Sequence, residues 1–119
     1  MTPFGAKLRE LRQSRSLTQK QMAAALNVSA AYLSALEHGH RAAPSFDFVQ
    51  RVTGYFNVIW DEAEELQRLA AMSDPKVSID TSGLSPQATE LANLLAQRIA
   101  SMTKEELGTL LESVRLPRV

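Results

Sequence analysis

The chain is 119 residues long, 45% hydrophobic and formally neutral, with thirteen basic and thirteen acidic side chains. That length holds one compact domain plus an appendage, and the composition fits neither a disordered chain nor a membrane protein. With no cysteine and two histidines, the chain has no disulfide or thiolate chemistry and few ligands for a transition metal.

Neutrality hides a split. Residues 1–56 carry Lys7, Arg9, Arg12, Arg15, Lys20, Arg41 and Arg51 against Glu10, Glu37 and Asp47, a balance of +4. Residues 57–119 carry six basic and ten acidic groups, a balance of −4. A basic half is suited to face phosphates, with the acidic half held away from them. No stretch approaches the roughly 20 apolar residues of a spanning helix, and no basic start leads into an apolar core, so a cytoplasmic protein is expected.

Thr2 and Pro3 read as N-cap and first helical residue, because proline lacks an N–H that would go unpaired there anyway. The helix they open turns Phe4, Leu8 and Leu11 inward. It leaves Lys7, Arg9, Arg12 and Arg15, for which a solvated face is the ordinary reading. Leu17 to Gly39, LTQKQMAAALNVSAAYLSALEHG, then reads as two short helices joined by a tight turn. Thr18 and Gln21 have the spacing of a capping box, and Met22, Ala25 and Leu26 form an apolar stripe. Asn27 stops this helix, Ser29 caps the next, Leu33 and Leu36 face inward, and Gly39 ends it. This is the helix-turn-helix arrangement, in which the second helix enters the major groove and the first crosses the backbone.

The outward positions of that second helix are Ser29, Ala30, Ala31, Tyr32, Ser34 and Ala35, with none of the long side chains that pair bidentately with adenine or guanine. Two explanations stay open. Ala30 and Ala31 can touch thymine methyls while Ser29, Tyr32 and Ser34 bond to bases or phosphates. Alternatively, DNA shape and the basic segment after the helix carry the specificity. Tyr32 has a second reading, packing sideways with its hydroxyl in water. His38 and His40 make too poor a ligand set for a metal, and none is expected. His40 and Arg41 are read as phosphate contacts, and Arg41 has the reach for a bidentate bond or a minor groove. Lys20 is either a backbone contact or simply exposed.

Pro44 and Ser45 open a fourth helix with Phe46, Val49, Val52 and Phe56 as an apolar stripe, Gly54 marking close packing or fraying, and Asn57 as its stop. Ile59 to Ala71 is read as a fifth helix with Ile59, Ala63, Leu66, Leu69 and Ala70 on one side. Asp61, Glu62, Glu64 and Glu65 suit the positive end of its dipole, so no catalytic role and no enzyme is expected. Trp60 is a core anchor or part of an interface. Residues 73–85 read as a linker, with Val77 and Ile79 as a short extended piece able to pair with something. Ser85 and Pro86 open a helix running to about Met102, with Ala88, Leu91, Leu95, Ile99 and Met102 on one stripe and Leu94 beside it. Thr103 and Glu106 form a second capping box, before Leu107, Leu110, Leu111 and Val114.

KLRELRQSR at residues 7–15, Leu17-Thr18-Gln19, Ala23-Ala24, Asn27-Val28-Ser29, Leu33, Leu36-Glu37, Gly39 and Pro44 together resemble the Cro/CI-type phage repressors, the XRE family of bacterial regulators. The resemblance covers roughly residues 3 to 71. It implies a five-helix bundle, an ion pair between Arg12 and Glu37, a phosphate contact from Gln19, and base-reading places at Ala30, Ala31 and Ser34.

The expectation is therefore an all-α chain. Residues 1–72 form a five-helix lambda-repressor-like DNA-binding domain, residues 73–85 a linker, and residues 86–116 a C-terminal helical hairpin. Two short amphipathic helices cannot bury both stripes alone. They either dock on the first domain or, as preferred here, dimerise two chains through Leu91, Leu95, Ile99, Leu107, Leu110, Leu111 and Val114, which supplies the symmetry of a palindromic site. Function is expected to be double-stranded DNA binding by a homodimeric transcriptional regulator, a repressor found on the nucleoid when bound, without a cofactor. The alternative is an antitoxin-like protein whose C-terminal helices hold a partner protein while the same N-terminal domain controls its own promoter.

Overall fold

The computed structural model describes residues 1–115. Seven α-helices account for nearly all of its order: α1 (Pro3–Ser14), α2 (Gln19–Leu26), α3 (Ala30–Glu37), α4 (Phe46–Phe56), α5 (Asp61–Ala71), α6 (Pro86–Arg98) and α7 (Lys104–Arg115), with a short 3₁₀ turn at Ile99–Ser101. The chain divides into two units, Met1–Val77 and a second that begins at Ser78.

Four of the five helices of the first unit start at a side-chain cap. The hydroxyls of Thr2, Thr18, Ser29 and Ser45 accept the N–H three residues on, at Gly5, Gln21, Tyr32 and Phe48. Gln21 completes a capping box by accepting the Thr18 N–H at 2.9 Å. Asn27 and Asn57 close α2 and α4 in the left-handed conformation, at φ 59° and 54°. Trp60 precedes α5 at φ 55°, ψ −128°, with no side-chain cap, and Asp61, Glu62 and Glu64 place negative charge in the first turn, where the helix dipole favours it.

α1 packs on α3 and α5, α2 on α3 and α4, and α4 on α5. Between them lie Phe4, Leu8, Met22, Ala23, Leu26, Leu33, Leu36, Phe48, Val49, Val52, Phe56, Leu66 and Ala70. Three inward assignments from periodicity are corrected. Phe46 is 66% exposed, and Phe48 takes its place in the core. Ala25 is exposed while Ala23 is buried, and Ile59 lies exposed outside α5, which begins at Asp61. For Phe46 and Ala25 the buried alternative lies two residues away on the same helix, and packing against neighbours chooses between them; Ile59 is exposed because the helix starts after it. Trp60 is 82% exposed and does not anchor the core. Ser73 belongs to this unit: its buried hydroxyl accepts the Phe4 N–H at 2.8 Å and donates to the Leu69 carbonyl, tying α1 to the end of α5.

The second unit repeats the capping chemistry, since Ser85 accepts the Ala88 N–H and Thr103 and Glu106 bond reciprocally at 3.1 Å. The Thr103 N–H holds the Glu106 carboxyl below its ordinary value. Neither α6 nor α7 has a buried side chain. Residue 116, where the hairpin was expected to end, lies outside the described residues. No helix among the described residues is long and apolar enough to cross a membrane.

α1 and α3 approach closely at Gly5, where a Cβ would overlap the Leu36 carbonyl oxygen and meet Glu37 O at 3.2 Å. Backbone cannot yield as a flexible side chain does. Gly5→Ala is expected to destabilise the first unit by about 1–3 kcal/mol in urea unfolding, with an unchanged slope. Gly54→Ala, where an added Cβ would meet open space, is expected to be neutral or stabilising.

Candidate nucleic-acid interface

α2 and α3 are separated by Asn27, Val28 and Ser29, and α3 has two unlike faces. Leu33, Leu36 and Glu37 are buried, whereas Ser29, Ala30 and Ala31 are exposed and Tyr32, Ser34 and Ala35 half-buried. The orientation of α3 is set from below. Glu37 is 1% exposed, and its carboxylate receives Arg12 Nε at 2.8 Å and Arg12 Nη2 at 3.0 Å, a bidentate pair. Arg12 Nη1 also donates to the Leu17 carbonyl at 2.9 Å, so one guanidinium joins α1, the start of α2 and the end of α3. Bonding to Glu37 holds Arg12 above its ordinary value, so it is a cation at every working pH.

Gln19 sits half-buried in the first turn of α2, and its Nε2 donates to Glu37 Oε1 at 3.2 Å. That bond fixes the amide but leaves its oxygen and a second N–H for the outside. Lys20 is exposed beside it, with no ion pair among the described residues. At the other end of α3, His38 is the C-cap and Gly39 turns at φ 74°. His38 Nδ1 is 2.8 Å from the Ser34 carbonyl, which can only accept, so the proton is on Nδ1. The same ring lies 3.5 Å from the Ser34 hydroxyl, partly covering that position. His38 and His40 stack at 6.4 Å. Arg41 is exposed and lies over the Tyr32 ring, 5.1 Å from its centroid.

Two arginines have roles the sequence did not reveal. Arg15 donates to the Tyr55 and Phe56 carbonyls at 3.2 and 2.8 Å and covers the Phe56 ring, closing the C-terminus of α4. Arg51 donates to the Leu26 carbonyl at 2.7 Å and closes α2 in the same way. A cation suits the negative end of a helix, but here each comes from another helix, so no spacing along the chain signals it. Of the seven basic groups in residues 1–56, Arg12, Arg15 and Arg51 are thus engaged in holding the fold, and Lys7 pairs with Glu10 at 3.2 Å. Three remain: Arg9, half-buried on α1, and Lys20 and Arg41, cations beside the exposed end of α2 and the exposed face of α3. Among the described residues, no three His, Asp or Glu side chains converge as a metal site.

Residues 8–62 match the model of a helix-turn-helix family. Over 61 residues the chain is 36% identical to a protein of Bacillus subtilis (strain 168) named "Uncharacterized HTH-type transcriptional regulator RghRB". The match takes in 51% of this chain and 44% of that protein, so the chain spans less than half of its relative's length. A solved structure, the SinR protein/SinI protein complex, is similar over 94% of each chain with 17% identity and a TM-score of 0.47.

Removing one partner of the Arg12–Glu37 pair strands a charge in the core. Arg12→Ala is expected to cost about 3–5 kcal/mol in urea unfolding, whereas Arg12→Met with Glu37→Leu should recover most of it, because two apolar side chains leave no unpaired charge.

Proposed function

We propose that residues 8–62, which match a helix-turn-helix family model, form a DNA-binding domain of the Cro/CI type, and that the chain is a homodimeric transcriptional regulator that binds specific double-stranded DNA, as a repressor. The observation that carries this reading is the two-faced α3, its inner side fixed by Leu33, Leu36 and Glu37 and its outer side left as Ser29, Ala30 and Ala31. On this reading α3 lies in the major groove with its small side chains close to base edges, and Ala30 and Ala31 meet thymine methyls. Gln19 and Lys20 at the start of α2, with His40 and Arg41 beyond α3, hold the flanking phosphates. Tyr32 and Ser34 contribute from the edges of the face.

Dimerisation is assigned to α6 and α7. Leu91, Ile99, Leu110, Leu111 and Val114 are exposed, Leu95 and Leu107 half-buried. At 25 cal/mol per Å², leaving several leucines in water forgoes several kcal/mol that a second copy of the same two helices would recover in a four-helix arrangement. A two-fold pair of α3 helices then suits an inverted repeat.

The reading is tested by selecting bound fragments from sheared genomic DNA with purified protein. An inverted repeat with half-sites about one helical turn apart is the expected product, and binding without an enriched motif would count against sequence-specific control. Two cations per protomer make four per dimer, so log affinity is expected to fall with log salt at a slope of about −3 to −4. A slope of about −7 or steeper would mean that further arginines of the first unit also reach phosphates. Arg41→Ala is expected to weaken binding to all sequences alike, and Ala31→Gln to change which sequence is preferred. Leu111→Asp is expected to leave monomers in sedimentation at concentrations where the wild-type chain is dimeric, with the first unit still folded.

A further inference from the structure

Arg41 is an exposed cation in the segment just after α3, and a free arginine is an imprecise tool. Its long side chain samples many rotamers, and fixing it against a phosphate or a groove costs conformational entropy. In this structure it is not free. Its guanidinium carbon lies 5.1 Å from the centroid of Tyr32, within the range in which a cation is drawn to the face of an aromatic ring. Tyr32 in turn is not a loose surface ring. It is half-buried, its backbone N–H is capped by Ser29 at 3.0 Å, and its ring meets Phe48 edge-on at 5.7 Å and 84°. Phe48 is buried and meets Phe4 at 6.5 Å and 67°. Arg51 covers Phe48 at 5.5 Å while donating to the Leu26 carbonyl that ends α2. A continuous series of packed groups therefore runs from α1 and α2 through α4 and α3 to Arg41, in the segment after α3.

We infer that Tyr32 is a positioning residue for Arg41: its ring, not its hydroxyl, holds the guanidinium in one place for DNA and registers the segment after α3 on the recognition helix. This rests on the DNA-binding reading above and deepens it. It also changes the meaning of Tyr32 on the outward face. The ring is occupied from one side by Phe48 and from another by Arg41, so its contribution to DNA passes through the arginine, and the base-reading part of α3 shrinks to the small residues Ser29, Ala30 and Ala31.

The test is a double-mutant cycle on the full chain, with fluorescent mixed-sequence duplex DNA as the probe and affinity measured by anisotropy at two salt concentrations. Tyr32→Phe keeps the ring and is expected to bind within about twofold of the wild type. Tyr32→Leu and Arg41→Ala are each expected to lose on the order of threefold to tenfold, and the double variant to lose no more than Arg41→Ala alone, since removing the ring cannot harm an arginine that is absent. Additive losses in the cycle, or a large loss in Tyr32→Phe, would overturn the assignment while leaving the DNA-binding reading intact. Absence of any binding by the wild-type chain would overturn both. Should Tyr32→Leu fail to fold, the wild-type spectrum decides: the Arg41 side-chain protons are expected to be shifted upfield by the ring current of Tyr32, and resonances at ordinary positions would overturn the assignment.

Discussion

Glu37 ends α3 inside the core, and a carboxylate is tolerable there only because Arg12 closes on it from α1 with two hydrogen bonds. An apolar side chain at that place would bury as well, yet it could rotate or slide against its neighbours. The fork of a guanidinium on a carboxylate cannot, because both bonds demand one plane and one distance. The third nitrogen of Arg12 extends the constraint to the Leu17 carbonyl just before α2, and Gln19 adds its amide to the same carboxylate. The angle between α2 and α3, on which any fit to a duplex depends, is therefore set by polar geometry within an apolar surround. Gly5 complements this by letting α1 come against the end of α3, where a methyl group would hold the two apart.

The basic half of the chain is less available to DNA than its net charge suggests. Arg15 and Arg51 each turn a guanidinium onto the carbonyls that end another helix, and Arg12 is enclosed. These bonds satisfy acceptors that would otherwise be left over at helix ends. What remains for a polyanion is Lys20 and Arg41, with Arg9 on α1, His40 and the polar ends of the helices. Charge counted along a sequence overstates an electrostatic footprint whenever arginine serves as a capping residue, and small helical domains with short helices have many ends to cap.

Much of this could be read from the residues. The caps at Thr2, Thr18, Ser29 and Ser45 and the left-handed stops at Asn27 and Asn57 are local, decided within four residues, and so visible in sequence. The family resemblance supplied the pairing of Arg12 with Glu37, which no periodicity indicates. Errors came where a choice between adjacent stripes depends on tertiary packing. Phe46 and Phe48 are both aromatic and two residues apart, and only the position of α4 against α1 and α3 buries one and exposes the other. The roles of Arg15 and Arg51 were hidden for the same reason, their acceptors lying 41 and 25 residues away. The stacking of Arg41 on Tyr32 is closer in sequence, yet it depends on Phe48 holding the ring.

The separation of the two faces of α3 has an evolutionary consequence. Everything that fixes the helix against the core enters through Leu33, Leu36 and Glu37, while Ala30 and Ala31 stand in solvent and touch none of it, and Ser29, also exposed, serves the helix only as its cap. A lineage carrying this arrangement can exchange its outward residues one at a time at little cost in stability, since exposed sites away from caps and packing change folding by about half a kcal/mol or less. Small residues are also a neutral starting point, with no existing contacts to unlearn. Duplicated copies could therefore diverge in target without first losing their fold.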